Sequence, residues 1–202
     1  MGESRDRGYH HGDLPAALVE ASFGLLAEVG LRRFSVAAVA RRLGVSSAAP
    51  YRHFPDRDHL LSAVSAAAAR DLRSAILTAA DAAGPDPSSR LASLAGAYFR
   101  YVVRTGAGLH VIYAAELYEV PDEARRAHTR ALMETLLDLA FATEVGTYQQ
   151  AVALVEAIIA VAHGYTTLFA EGFFNRGALT IDTTATRAIT AAQALIRADH
   201  PH

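Results

Sequence analysis

The chain has 202 residues, of which 51% are hydrophobic, and its formal net charge is -2. This length and composition allow one or two folded domains with a sizeable core. The chain contains no cysteine, which excludes a disulfide framework, a thiolate metal site and a cysteine nucleophile.

The first predicted helix follows an N-terminal arm, residues 1 to 11, which we expect to be flexible. Asp13 is placed to cap this helix, Pro15 fits its opening turn, and Gly30 is placed to end it. Its apolar residues recur at helical spacing and are Leu14, Leu18, Ala21, Leu25 and Val29. We therefore expect this helix to support the elements that follow it.

A second, shorter helix is predicted to begin after Ser35 and to end at a glycine turn. Ser35 can cap its free N-H groups, and Gly44 can take the left-handed conformation that ends it. Arg41 and Arg42 lie near its C-terminus, where cations favour the helix dipole. Its apolar stripe consists of Val36, Val39, Ala40 and Leu43.

A third helix is predicted to follow the glycine turn and to run to about Phe54. Ser46 or Ser47 can cap this helix, which places Pro50 within its first turns. A proline there is compatible with a short helix. Two short helices joined at a glycine turn form the outline of a helix-turn-helix DNA reader.

Positive charge is concentrated around this pair of helices. Residues 32 to 57 contain six arginines and one acid, a local balance of 6 - 1 = +5, whereas the whole chain carries -2. Local positive charge is what binding to a phosphate backbone requires.

The stretch FSVAAVARRLGVSSAAPYRHFPDRDHLL resembles the DNA-binding domain of the TetR/AcrR family of one-component transcription regulators. The matching features are an apolar-stripe helix ending in GVS, a short reader ending in YRHF, and a helix that opens with an acid, a base and paired leucines. The resemblance covers about residues 12 to 72. It implies an all-α protein, with a three-helix DNA-binding domain at residues 12 to 60 and a helical ligand-binding and dimerisation domain at residues 61 to 202.

The same resemblance implies four contacts with the DNA backbone. Tyr51 would donate a hydrogen bond to a phosphate at the end of the reader. Arg57, where the family usually has lysine, would hold a phosphate from the start of the next helix. Arg41 and Arg42 would contact the backbone near the glycine turn.

Base contacts would come from the reader itself. Ser46, Ser47 and Ala48 occupy its N-terminal turn, and these small side chains cannot make the bidentate contact that arginine makes to guanine. Arg52 or His53 would have to supply any longer reach. The alternative for His53 is packing against the neighbouring phenylalanine.

The rest of the chain is predicted to be helical. A connecting helix spans about residues 57 to 83, and a proline- and glycine-rich break follows at residues 84 to 89. No alternating strand pattern appears. Further helices are predicted at about residues 88 to 105, 109 to 118, 122 to 143, 147 to 171 and 183 to 198.

A small-molecule pocket is implied between these later helices. Its candidate residues point inward by helical spacing and are Tyr98, Tyr101, His110, Tyr113, Met133, His163 and Thr167. The alternative for each of them is ordinary core packing. His163 and Gly164 resemble the C-terminal domain of a TetR subgroup named for a Trp-His-Gly motif, although this chain contains no tryptophan.

An enzyme is not expected, and neither is a cofactor. The chain has no Glu-x-x-His pair and no glycine-rich phosphate loop. His110, His128 and His163 could still converge into a metal-sensing site, which residue spacing alone leaves open.

The resulting hypothesis is a ligand-responsive regulator of transcription. A homodimer formed through about residues 147 to 171 and 183 to 198 would read a palindromic operator on double-stranded DNA, and an unknown small molecule would release it. Activation in place of repression stays open. The alternative is an all-helical metal- or ligand-binding protein whose DNA binding is lost or secondary.

A cytoplasmic location without a membrane partner is also expected. The N-terminus is polar, unlike a signal peptide. The most apolar run, residues 151 to 162, is interrupted by Glu156 and is predicted to be too short to span a bilayer.

Overall fold

A computed structural model describes residues 13–174 and 180–199, and the predicted flexible arm at residues 1 to 11 lies outside them. The described residues form helices joined by turns and contain no strand. The helices are α1 (Leu14–Val29), α2 (Val36–Leu43), α3 (Arg57–Ala82), α4 (Pro87–Thr105), α5 (Leu109–Ile112), α6 (Glu123–Phe141), α7 (Tyr148–Ala170) and α8 (Ile181–Asp199). The predicted all-α class is therefore confirmed.

Helices α1 and α2 begin and end where local signals predicted. The Asp13 carboxylate accepts a hydrogen bond from Ala16 N at 3.2 Å, and the Ser35 hydroxyl accepts one from Ala38 N at 3.2 Å. Gly44 has a φ of 70°, and the N-H of the following Val45 donates to Ala40 O at 3.1 Å. This left-handed turn sets the direction in which the chain enters the reader segment.

The reader segment is less regular than predicted. The prediction of a full α-helix after the glycine turn is wrong. Residues 47 to 49 form turns, and Pro50–Arg52 form a single 3-10 turn. Pro50 has no N-H to donate to Ser46 O, which accepts instead from Ala49 N at 3.0 Å. Neither serine hydroxyl caps the segment, since Ser46 and Ser47 make no side-chain hydrogen bond within the described chain.

The long helix α3 connects the reader to the rest of the protein, as predicted. Asp56 caps it by accepting hydrogen bonds from Asp58 N and His59 N, both at 2.9 Å. Its buried face continues from Leu60 to Ala80 and packs against α1, α4 and α6. A single buried cluster joins Leu18 of α1 to α7, so the division at residues 60 and 61 stays a prediction.

The C-terminal helices match their predicted ranges closely except at residues 109 to 118. There the predicted single helix is wrong, because α5 has one turn and a 3-10 turn, Ala115–Leu117, follows it. The Ser65 hydroxyl of α3 donates to Ile112 O at 2.8 Å, occupying a carbonyl that a continuing helix would use. Ala114 adopts an extended ψ of 129° at the break.

Helix α7 is long as well as apolar. It has 23 residues, and an 18-residue window within it has a mean hydropathy of 1.6, which by length and composition alone is enough to cross a bilayer. The prediction that its apolar run is too short is therefore wrong on length. Within the fold, α7 packs against α4, α6 and α8, and 28% of its apolar window is buried.

Candidate DNA interface and ligand cavities

The surface around the glycine turn presents several unpaired side chains. Arg41 and Arg52 are exposed and have no hydrogen-bond or ion-pair partner among the described residues, and Tyr51 is 51% exposed. The predicted groove-facing residues Ser46, Ser47, Ala48 and His53 are exposed as well. These side chains are therefore accessible for contact with a polyanion.

Arg42, predicted to be a phosphate contact, is instead paired within the protein. Its two terminal nitrogens donate to the two carboxylate oxygens of Glu28 at 2.8 and 2.7 Å. This hydrogen bonding lowers the pKa of Glu28 and raises that of Arg42. The sequence carried no signal for this pair, because it depends on the crossing of α1 and α2.

Gly24 of α1 provides the space in which this ion pair lies. A Cβ built at Gly24 would be 3.0 Å from Nη2 of Arg42, tighter than ordinary van der Waals contact. Glycine inside a helix is less favourable than alanine by ~1 kcal/mol. The close approach of the guanidinium gives a physical reason for that glycine.

Arg57, another of the four predicted phosphate contacts, also binds to the protein. It donates to Leu31 O at 3.1 Å and to Phe34 O at 3.4 Å, and its Nη1 lies 3.0 Å from an Asp58 carboxylate oxygen. Arg57 therefore holds the segment between α1 and α2 against the start of α3. Its side chain keeps 35% exposure, so part of the guanidinium still faces solvent.

The predicted pocket residues are not gathered around one cavity. Tyr98, His110 and His163 do form a cluster, in which the Tyr98 hydroxyl lies 3.1 Å from His163 Nδ1 and accepts from Leu109 N at 3.3 Å. The two histidine rings lie 6.3 Å apart. Burial lowers the pKa of His110, the nearby His163 lowers it further, and a backbone hydrogen bond to Gly106 opposes both.

The remaining candidates lie in separate places. Tyr101 lines a cavity of about 510 Å³ between α3 and α4, and burial raises its pKa. Tyr113 and Met133 line a cavity of about 440 Å³ beside α6. Thr167 is exposed on α7.

The three histidines considered for a metal site do not converge. His128 lines a different cavity of about 480 Å³, between α1, α3 and α6. Within residues 13–174 and 180–199, no group of three or more histidine, aspartate or glutamate side chains is arranged to hold a metal ion. Only His110 and His163 lie near each other.

The loop after α4 lies between this region and the C-terminal end of α1. Gly106 has a φ of 66°, and a Cβ there would overlap the backbone of Leu26 and Ala27 in α1. His110, a few residues on, lines a concavity of about 790 Å³ together with Val29–Arg33. The loop therefore packs directly against the end of α1.

Comparison with known sequences agrees with this arrangement. Residues 18–64 match the family model described as bacterial regulatory proteins, tetR family. The chain is 30% identical over 124 residues to the HTH-type transcriptional regulator BetI of Stenotrophomonas maltophilia. That alignment covers 59% of this chain and 63% of the relative, so the match spans less than two thirds of the curated protein.

Solved structures share the architecture over nearly the whole chain. A protein of unknown function from Rhodococcus sp. RHA1 is 26% identical, with a TM-score of 0.69 and coverage of 94% of this chain and 98% of that one. A TetR variant from Acinetobacter baumannii AYE, solved in complex with minocycline, is 19% identical, with a TM-score of 0.60 and coverage of 91% and 94%. The chain is therefore similar to the tetR family of bacterial regulatory proteins over residues 18–64 and shares the fold of these solved structures over nearly its whole length.

Proposed function

We propose that this protein is a cytoplasmic, ligand-responsive DNA-binding regulator rather than an enzyme, and that it represses transcription until a small molecule releases it from a palindromic operator. The observation that carries the proposal is the exposed surface around the glycine turn. Arg41, Tyr51 and Arg52 are accessible there, and neither arginine has a partner in the described chain. Exposed cations beside a helix-turn-helix reader are suited to phosphate binding.

The proposed contacts divide into anchoring and reading groups. Arg41 and Tyr51 would contact phosphates directly. Arg42 would do so after its ion pair with Glu28 breaks. Arg57 would act chiefly by positioning the reader, because its donors bind the backbone carbonyls before α2. Bases would be read by the small residues 46 to 48 together with Arg52 or His53.

A homodimer through α7 and α8 would give the spacing that a palindrome requires. Readers in successive major grooves lie ~34 to 36 Å apart, which two copies of one short reader can span. Helix α7 supports this assignment, because an 18-residue window of it has a mean hydropathy of 1.6 and only 28% of that window is buried in the single chain. Leu168, for example, is 36% exposed.

Selection of bound duplexes from a random DNA pool tests the proposed function. We expect enrichment of a two-fold symmetric site with half-sites one helical turn apart. The selected site should then be bound with strong salt dependence, and Arg41→Ala should weaken that binding. Retention of no duplex above background would contradict the proposal and favour a helical ligand-binding protein without DNA binding.

A further inference from the structure

One buried arginine in the C-terminal region has no counterion. Arg125 of α6 is 5% exposed, and none of the ion pairs in the described chain includes it. Its Nη2 donates to Leu117 O at 2.8 Å, whereas its buried Nε has no hydrogen-bond partner. Guanidinium stays charged at any physiological pH, and a buried charge requires pairing or full hydrogen bonding. The guanidinium of Arg125 is therefore available to bind an anion.

This arginine lines the cavity of about 440 Å³ beside α6. Arg126 and Arg130 line the same cavity, so three cations face it and no acidic residue does. Of the three guanidinium groups, Arg126 alone forms an ion pair within the described residues, an exposed one in which Nη1 lies 3.9 Å from a Glu123 carboxylate oxygen. Arg130 has no partner among the described residues.

The other walls of the cavity are mainly apolar or aromatic. Tyr113, Tyr118 and Met133 provide them, and Thr129 is the polar exception. The Tyr113 hydroxyl donates to Thr129 O at 3.1 Å, which fixes its ring against α6. Tyr118 and Met133 are 60% and 38% exposed, so a bound molecule could cover them. Cationic and aromatic walls together fit a ligand with an anionic head and an apolar body.

We propose that this cavity binds a small organic oxyanion, with its carboxylate or phosphate head on Arg125 and its ring between Tyr113, Tyr118 and Met133. The guanidinium fork can offer its free Nε and an adjacent terminal nitrogen to two oxygens of one head group. Arg126 and Arg130 add positive potential at the entrance. The volume suits a bicyclic or similar ring system.

The cavity is connected to the reader by a short chain of contacts. Arg125 binds the carbonyl of Leu117, and the adjacent Glu116 carboxylate lies 3.7 Å from Arg57 Nη1. Arg57 in turn binds the carbonyls of Leu31 and Phe34 just before α2. An anion that displaces Leu117 O from Arg125 would shift this turn, and a regulatory role for that shift rests on the proposed function.

Calorimetric titration of the full-length protein with 2-naphthoate, 2-naphthyl phosphate and the uncharged 2-naphthamide tests the site. We expect at least one of the two anions to bind, and the one that binds more tightly shows whether the site prefers a carboxylate or a phosphate head group. The amide should bind at least about tenfold more weakly than that anion. Equal binding of the amide and both anions, or binding of none of the three, would overturn the inference.

Arginine variants locate the binding in this cavity. Arg125→Gln should lower the affinity for the anion by about tenfold or more. Arg130→Gln, at an exposed position where substitution leaves the fold intact, should lower it by about two- to fivefold. Arg104→Gln, which lines a different cavity, serves as the matched control and should bind like wild type. If Arg125→Gln does not fold, Arg130→Gln and Arg126→Gln decide the question. Wild-type affinity in both would place the anion elsewhere and refute the site.

Failure of the site and failure of the proposed function give different results. A protein that selects a palindrome but binds no naphthyl anion is a regulator with another ligand class. A protein that binds the anion through Arg125 and Arg130 but selects no DNA has the cavity without the proposed function. With both present, saturating anion should lower operator affinity, and Glu116→Gln should reduce that coupling without removing anion binding.

Discussion

Arginine side chains around the glycine turn differ in how firmly the protein holds them. Arg41 and Arg52 are free, whereas Arg42 is paired with Glu28 and Arg57 with backbone carbonyls. A free side chain can be removed with little effect on folding. Substitution of Arg57 would instead leave carbonyls without their donor and loosen the reader. DNA-binding effects at Arg57 therefore combine lost contact with lost positioning.

Arg41→Ala is expected to weaken DNA binding similarly on all sequences. Each lost phosphate contact lowers the slope of log affinity against log salt by about 0.9. Affinity for the selected operator and for a scrambled duplex, measured across a salt series, checks this. Arg187→Ala on α8, also exposed, is the control and should leave the slope unchanged. A sequence-selective loss with an unchanged slope would show that Arg41 reads bases.

His110 is expected to make stability fall as the solution becomes acidic. Burial and His163 lower its pKa in the folded state, so the unfolded chain binds protons more readily. The contribution of His110 to the free energy of unfolding is complete above the ordinary histidine pKa of about 6.5. It is lost as the pH falls from there towards the pKa of His110 in the folded state.

Urea unfolding at several pH values between about 7.5 and 5.5 measures this effect. His110→Gln should flatten the decline in unfolding free energy over this interval. Identical pH profiles for His110→Gln and wild type would contradict the assignment.

At the scale of single elements, two turns decide where the reader and the cavity lie. The glycine turn after α2 was recognisable because a helix followed by glycine and an apolar residue is a local pattern. The 3-10 form of Pro50–Arg52 and the break after α5 were not predicted. In the second case the Ile112 carbonyl at the break accepts a hydrogen bond from the Ser65 hydroxyl of α3, which is far away in sequence.

Gly44→Ala is expected to destabilise the protein by about 1 to 2 kcal/mol, because an L-residue is strained in the left-handed conformation. Nothing lies within 4 Å of a Cβ built there, so the backbone conformation is the sole source of the cost. Gly164→Ala in α7 is the matched control, since its Cβ also meets nothing within 4 Å but its backbone is helical.

Alanine is favoured over glycine by ~1 kcal/mol within a helix, so the control should hold or gain stability. Thermal unfolding of both variants separates the two effects. A Gly44→Ala protein as stable as wild type would mean that the turn is not held left-handed in solution.

At the scale of the whole molecule, an unburied apolar helix implies a partner surface. Ala160→Arg, at an exposed position of α7, should shift the protein from dimer to monomer and weaken operator binding at least about tenfold by separating the half-sites. Light scattering during size-exclusion chromatography measures the mass. Ala142→Arg, exposed at the end of α6, should keep the wild-type mass. A monomeric wild type would contradict the proposed dimer.

The sequence alone determined the helical class, most helix limits, two of the caps and the glycine turn. These features depend on residues three or four positions apart, which helical geometry brings together whatever the rest of the fold does. The local charge of the reader region and its resemblance to the TetR family were readable for the same reason.

Only the tertiary structure decided which side chains are free. It paired Arg42 with Glu28, set Arg57 on the carbonyls before α2, and divided the expected pocket residues among separate cavities. It also left Arg125 buried without a counterion. Such contacts depend on how helices cross, and residue type and spacing along one helix carry no information about the crossing partner.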